Sequence, residues 1–442
     1  MLLSFSIENY LSFRKKITLD MSAEALKEKK GHLHVPYLYN PKLHLLKSIS
    51  IFGYNSYGKS NLLKGYSVYR NLILKSFSFS GTSTQIPVEP FKLNTSSLNN
   101  PNFFESIFIL KNTKYRYGFK IKNNAIIEEW LFYADGQIRE NVLFYRNGQE
   151  MGEISKIWNK ESNGMIEKAV MFTQPQSLFL SVLLSQNKLP PRVDEILQWF
   201  QGNIILSGNY TDILNSNAPQ IYTDLEFRST ILKFIDASKL GFESVFEKIS
   251  EMASNRNIHQ DLLDIAFEDK AKNFELFTKH NVFDENYNIV SKHDFNLQKS
   301  ESSGTIKYFI LACFLSLALK RGQLIWIDEL DSSLDSNLFV FLIETFNSVK
   351  NNVAGSQLVF ITHNTAIMNK KLRRDQIYLV DKNEYGESSL HPAHTTKNPI
   401  RINKSIESEY RDGLLNEGKG SAKNKLTNDI PTLFDDLENN FK

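Results

Sequence analysis

Apolar positions along the chain change their spacing several times, and each change marks a different kind of structure. The opening MLLSFSIENYLSF alternates like a strand, and His44 to Phe52 (HLLKSISIF) is an apolar, β-branched run of strand length. Asn61 to Leu74 then places Leu62, Leu63, Tyr66, Tyr69, Arg70 and Ile73 at helical spacing. Residues 1 to about 75 thus predict strands, a loop and a helix that begin one sheet. From about Val88 to Arg146 aromatic and polar residues alternate, with Asn123-Asn124, Asp135-Gly136 and Asn147-Gly148 as turns, which predicts an antiparallel meander. From about Ser177 to Ala271 the period becomes helical (SLFLSVLLSQN, RVDEILQWF, STILKFIDASK, HQDLLDIAFED), broken by the Gly- and Asn-rich stretch Gly202 to Pro219. That break excludes one uninterrupted pair of long heptad helices. After about Asp294 helical pattern and buried strands alternate (LIWID, QLVFITH, QIYLVDK), so the second half completes the sheet begun in the first.

The expected division is an α/β unit in four parts: 1–176 with the first sheet and the meander, 177–293 as an inserted helical lobe, 294–400 completing the core, and 401–442 as a C-terminal extension. The last 25 or so residues read as flexible, yet Ile430, Leu433, Phe434, Leu437 and Phe441 share one apolar face of a short acidic helix. Composition adds little to this picture. A hydrophobic share of 41% over 442 residues can fill a sizeable core, and a net charge of +3 argues neither for nucleic acid nor against a local basic patch. The lone cysteine, Cys313, sits in YFILACFLSLAL and is expected to pack in a helix; no disulfide can form within the chain, which suits a cytoplasmic location. The same run, Tyr308 to Leu319 with a lysine at either end, is shorter than the about 20 residues that span a bilayer, so no membrane segment is expected. The N-terminus lacks the basic and apolar regions of a signal peptide.

Between the first strand run and its helix stands FGYNSYGKSN, which fits G-x-x-x-x-G-K-[ST] with Gly53, Gly58, Lys59 and Ser60. Such a pattern recurs by chance in roughly one chain of this length in 60, so the flanking strand and helix matter. They are in the required order. Glycines let backbone N–H groups close around phosphates, the helix N-terminus adds partial positive charge, Lys59 reaches the β and γ phosphates, and the Ser60 hydroxyl ligates Mg²⁺. Asn55 within the loop and Asn61 just after it join the expected nucleotide contacts.

LIWIDE presents Asp328 and Glu329 at the carboxyl edge of a buried strand, where open α/β sheets bind ligands. Asp328 would hold Mg²⁺, directly or through water, and Glu329 would orient and deprotonate an attacking water. The turn DSSLD (Asp331 to Asp335) follows, and one strand later ITHN ends with His363, whose neutral imidazole suits the γ-phosphate and the water. In KSESSGTIKYF, Ser302, Ser303 and Gly304 open an apolar helix and form a second anion-binding start.

Loop, meander, helical lobe, Ser-x-Gly signature, acidic strand, SLD turn and histidine strand end together resemble the ABC-type ATPase heads of the SMC and RecF group. The resemblance implies that two heads sandwich two ATP molecules, each between one chain's loop and the other's signature. Glu301-Ser302-Ser303-Gly304-Thr305 departs from the usual Leu-Ser-Gly-Gly and leaves open which serine meets phosphate. The phrases FSIENYLSFR, RYGF, EEWLF, ESSGT and RRDQIYLVDKNEYGESSL are similar to those of small bacterial ATPases of abortive-infection and anti-phage systems, RloA-like and PtuA-like, over about residues 1 to 415. A loop glutamine usually completes the Mg²⁺ site in such heads, for which Gln186 is the first candidate and Gln85 the second.

A transporter ATPase is disfavoured because Ser60 and Ser302 lie 242 residues apart, with a meander and helical segment between them. A DNA repair head of the RecF kind shares the whole constellation and is the alternative, with DNA as a partner. Only 79 residues follow His363 and none of them forms Asp-x-Asp, so the chain is expected to rely on an effector subunit, a nuclease, rather than on a nuclease site of its own.

Overall fold

Runs such as LIWI and QLVFI have no polar face to show to water, so they are stable where both faces of a sheet are covered. They do lie there. The computed structural model describes residues 1–36, 40–79, 85–136, 139–156, 164–186, 191–208, 217–249, 274–394 and 405–411, and the single positions 158, 189, 213, 214 and 415. A six-stranded sheet runs in the order Ile204–Leu206, Leu324–Ile327, Gln357–Ile361, Ser48–Phe52, Ile377–Lys382, Ser388–Pro392. The first five strands are parallel and the last is antiparallel to its neighbour. Alternate residues of these strands fall into two separate cores: Trp326, Val359 and Ile51 in one, Ile325, Leu358 and Phe360 in the other.

The meander is a seven-stranded antiparallel sheet, ordered Glu150–Ile154, Asn141–Asn147, Ala125–Asp135, Thr113–Lys122, Asn102–Leu110, Leu2–Glu8, Ile17–Asp20. Asn123 and Asn124 turn with φ of +50° and +60°, as a tight hairpin requires. The N-terminal strands therefore belong to this sheet and not to the one that carries the phosphate loop. Their polar-apolar alternation suits an antiparallel sheet, whereas the parallel sheet takes up the apolar runs LIWI and LVFI beside the alternating SISIF, whose serines are buried and hydrogen-bonded. Helix Lys59–Lys75 lies between the two sheets, with Tyr66 stacked on Trp326 at 4.7 Å and Tyr69 on Phe119 at 5.4 Å.

The segment 177–293 differs from the expected helical lobe. Helices Phe179–Leu184 and Pro191–Gly202 pack with Lys59–Lys75 in one core, and Ala218–Thr223 and Leu225–Ser238 pack on helix Ser303–Arg321 in the other. Their apolar faces complete the two cores instead of forming a third. Between them Ile204–Leu206 joins the parallel sheet, and Ser244–Ile249, Phe274–Phe283 and Ile289–Asn296 form a three-stranded antiparallel sheet. A buried carboxylate ties the first of these helices to the meander: Glu129 accepts bonds from Tyr117 Oη (2.9 Å), Arg146 (2.9 Å) and the Phe179 N–H (2.8 Å). The run HQDLLDIAFED and the tail face Ile430 to Phe441 lie outside the described residues.

Cys313 is buried within helix Ser303–Arg321, where burial pushes its thiol pKa well up, so it packs as an apolar residue. This helix is longer than its apolar run suggested. Among the described residues it alone is long and apolar enough by length and composition to cross a membrane, and here its residues Thr305 to Leu319 are buried inside the protein.

Candidate functional site

Strand Ser48–Phe52 delivers the chain into the loop at Gly53, whose φ of +155° and whose packing both need glycine: a Cβ there would lie 2.6 Å from the Val380 carbonyl oxygen. Gly58, at φ +105°, is hemmed in by the hydroxyls of Ser12 and Ser388. Gly58 is also the N-cap of helix Lys59–Lys75, and no side chain caps that helix start, so its first-turn N–H groups point to an anion site. Lys59 is buried and donates to the carbonyls of Gly53 (2.8 Å) and Tyr54 (3.0 Å). Burial lowers its pKa, against the opposing pull of Asp328, Glu329 and Asp331, which places lysine and carboxylates in one field. Asn55 is exposed in the loop, and Ser60 is half-buried in the first helical turn. The Asn61 amide donates to Ser12 Oγ at 2.9 Å and so braces the loop on the N-terminal hairpin.

Strand Leu324–Ile327 ends in the acidic turn. Asp328 is half-buried and its N–H donates to Leu206 O at 2.9 Å, while Glu329 is exposed. Glu329 has a φ of +47°, a left-handed conformation that a non-glycine residue holds only when its surroundings enforce it. The Leu330 N–H bonds Ile361 O at 3.0 Å, and the Asp331 carboxylate accepts the His363 N–H at 3.3 Å. His363 is exposed and shares with Gly53, Tyr54, Asn55, Thr362 and Tyr410 the wall of a cavity of about 230 Å³. The loop, the acidic pair and the histidine thus meet at the carboxyl edge of three adjacent parallel strands.

At the signature, Ser302 is the N-cap of helix Ser303–Arg321, its Oγ accepting the Thr305 N–H at 3.1 Å, while Ser303 is exposed. A Cβ on Gly304 would come within 2.5 Å of Ser333 O, so this glycine allows the helix to touch the turn after the acidic pair. Lys307, one turn along, completes the latch: its buried Nζ donates to Glu329 O (2.6 Å), Ser332 O (2.8 Å) and Ser332 Oγ (2.6 Å). Glu301 is held by Thr278 Oγ1 (2.5 Å) and His280 Nε2 (2.8 Å) of the three-stranded sheet. In the sequence Lys307 reads as a charge flanking an apolar run, and no local signal marks it, because its partners lie more than twenty residues on, in the acidic pair and the turn after it.

Gln186 is not brought to the loop. Ser181 Oγ accepts the Phe77 N–H at 3.0 Å, just beyond the far end of helix Lys59–Lys75, which at 1.5 Å per residue is roughly 25 Å from Gly58. The five residues from Ser181 to Gln186, mostly helical, recover about 8 Å of that. Its amide bonds Ser185 Oγ at 3.3 Å. Gln85 is exposed beside Ile86, whose N–H bonds the Asn124 side chain in a meander turn. Among the described residues no three His, Cys, Asp or Glu side chains form a cation cage, so a divalent cation here would rest on Ser60 and Asp328 with nucleotide oxygens, a donor set of the Mg²⁺ kind.

Burial lowers the Lys307 pKa from 10.5 to about 8, opposed by Asp331, Glu329 and Asp328. Between those values the unfolded chain binds more protons than the folded one, so this lysine makes stability rise with pH. Thermal melts of the parent and Lys307→Met should therefore diverge in the parent's favour from about pH 8 to pH 10. A difference that stays flat would show that Lys307 is not held in this buried setting.

Among solved structures, the chain is similar over 89% of its length to an SMC head domain from Thermotoga maritima, covering 99% of that chain at 13% identity with a TM-score of 0.40. It is also similar over 88% of its length to an SmcHead bound to the C-winged helix domain of ScpA, covering 97% of that chain at 12% identity with a TM-score of 0.44. No curated protein matches. The protein family described as "AAA domain, putative AbiEii toxin, Type IV TA system" matches residues 48–162 and 216–369. These two stretches hold the phosphate loop, the signature, the acidic strand and His363 and make up more than half of the sequence, and the chain belongs to this AAA-domain family.

Proposed function

We propose that the chain is an ATP-binding and ATP-hydrolysing subunit that works as a head-to-head homodimer and controls a partner effector, a nuclease, in bacterial anti-phage defence of the abortive-infection kind. The observation that carries the catalytic half is the convergence of Lys59, Asp328, Glu329 and His363 on one sheet edge, with the signature held to the acidic turn by Gly304 and Lys307. Lys59 would neutralise phosphate charge, Glu329 would take the proton of the attacking water, and His363 would hold the γ-phosphate and that water in line. When bound with ATP between Ser60 and Asp328, Mg²⁺ would offset charge on the β and γ phosphates. The defence half is supported by the family description, whose toxin and toxin–antitoxin terms describe its members, and by the phrases shared with abortive-infection ATPases.

The test is to express the chain alone and with the product of its neighbouring gene. Phage protection or toxicity should require both proteins and should vanish with Lys59→Ala or Glu329→Gln. Protection by this chain alone, with no second subunit recovered on purification, would remove the effector from the proposal, and hydrolysis stimulated by DNA in the absence of any partner would favour a DNA repair head.

A further inference from the structure

The six-residue helix Ile406–Arg411 lies beyond the last residue of the family match, yet it touches two segments of the nucleotide site at once. A helix this short is not stable alone, so its contacts hold it. On one side the buried ring of Tyr410 stacks on Tyr54 of the phosphate loop, with centroids 6.0 Å apart and planes 20° apart, and approaches Phe52 at 6.4 Å. Tyr54 is the residue whose carbonyl receives Lys59, so the position of its ring bears on the lysine. On the other side Glu407, one turn before Tyr410, accepts bonds from Thr365 Oγ1 (3.1 Å), Asn369 Nδ2 (3.4 Å) and Arg411 (2.7 Å). Arg411 itself donates to Thr365 Oγ1 at 3.3 Å. Thr365 is two residues from His363, and Tyr410 and His363 wall the same cavity as Gly53.

We propose that helix Ile406–Arg411 is part of the nucleotide site, with Tyr410 a positioning residue that sets the phosphate loop through Tyr54 while Glu407 sets the His363 segment through Thr365. The helix couples the two sides, since one rigid turn separates Glu407 from Tyr410. An element outside the matched residues thereby tunes the reaction, and a pull on the chain beyond Arg411 would be felt at Lys59 and His363 together. This inference rests on the ATPase reading.

The experiment measures ATP binding and steady-state hydrolysis by the full chain, well below its melting temperature, for Tyr410→Ala, Tyr410→Phe, Glu407→Gln and the double variant Tyr410→Ala/Glu407→Gln. A stacked aromatic pair is worth a factor of about 3 to 10, so Tyr410→Ala should lower kcat/KM by about that factor and Tyr410→Phe, which keeps the stack, by less than about twofold. Glu407→Gln should show a loss of about threefold, and the double variant should be no worse than Tyr410→Ala, because the two residues act as one unit. Parent activity in Tyr410→Ala, equal damage by Phe and Ala, or effects that multiply in the double variant would each overturn the coupling. Glu407→Gln, whose partners Asn369 and Arg411 are exposed and Thr365 half-buried, keeps the test standing should Tyr410→Ala fail to fold. Lys59→Ala separates the two levels: if the parent binds ATP and Lys59→Ala does not while Tyr410→Ala matches the parent, the coupling alone fails. If the parent and Lys59→Ala are equally unable to bind, the ATPase reading fails and takes the coupling with it.

Discussion

Glu329→Gln is expected to bind ATP as the parent does, to hydrolyse it at least roughly 10²-fold more slowly, the loss typical of removing a general base, and to accumulate as paired heads. The geometry makes this a chemical test and not a structural one. Glu329 is exposed, its carbonyl is held by Lys307 Nζ at 2.6 Å, and the next residue is pinned to Ile361 O at 3.0 Å. Glutamine is the same shape and can keep the left-handed φ of +47° under those restraints, losing only the ability to take a proton. Single-turnover hydrolysis, with light scattering to follow pairing in ATP, reads both consequences. Hydrolysis at the parent rate would move the base to another group at the same edge, such as Asp331, whose carboxylate accepts the His363 N–H.

The parallel core was readable because LIWI and LVFI carry a signal that survives without partners: they are apolar on both faces, and only a sheet covered on both sides accommodates them. SISIF beside them alternates, and its buried serines are satisfied by Asn347 Oδ1 (3.0 Å from Ser48 Oγ) and Gln376 O (2.9 Å from Ser50 Oγ). The glycines of the loop and of Ser-x-Gly were readable as motif positions between a strand and a helix, although the atoms that crowd them, Val380 O, Ser388 Oγ and Ser333 O, come from segments far along the chain. What was hidden depends on partners far along the chain. Ile204–Leu206 sits in a Gly- and Asn-rich stretch and becomes a strand only because Leu324–Ile327 offers it an edge. Glu129 reads as a solvated carboxylate on a meander strand, yet it is buried among Arg146, Tyr117 and the start of a helix some fifty residues on. Tyr410 has no motif around it at all; its meaning appears when its ring is found on Tyr54. Gln186 shows the converse, a residue chosen by resemblance to a loop position whose backbone here runs at the wrong end of helix Lys59–Lys75.

Ser302 is where cap and ligand roles must be separated, because its hydroxyl already accepts the Thr305 N–H at 3.1 Å. Alanine would remove both roles, but aspartate caps a helix as well as serine does while placing a negative charge where a phosphate would arrive. If the signature serves the other subunit's nucleotide, Ser302→Asp and Lys59→Ala should each be nearly inactive alone. Mixed in equal amounts and allowed to exchange, they should recover about a quarter of parent activity: half of the dimers are mixed, and each mixed dimer pairs the intact loop of the Ser302→Asp chain with the intact signature of the Lys59→Ala chain at one of its two sites. The result is opposite if Ser302 is a cap and nothing more. Ser302→Asp would then fold and hydrolyse ATP by itself, and mixing would add nothing beyond the activity of that subunit. Inactive single variants that exchange subunits without recovery would place loop and signature in the same chain's site, and the head-to-head sandwich would have to be abandoned.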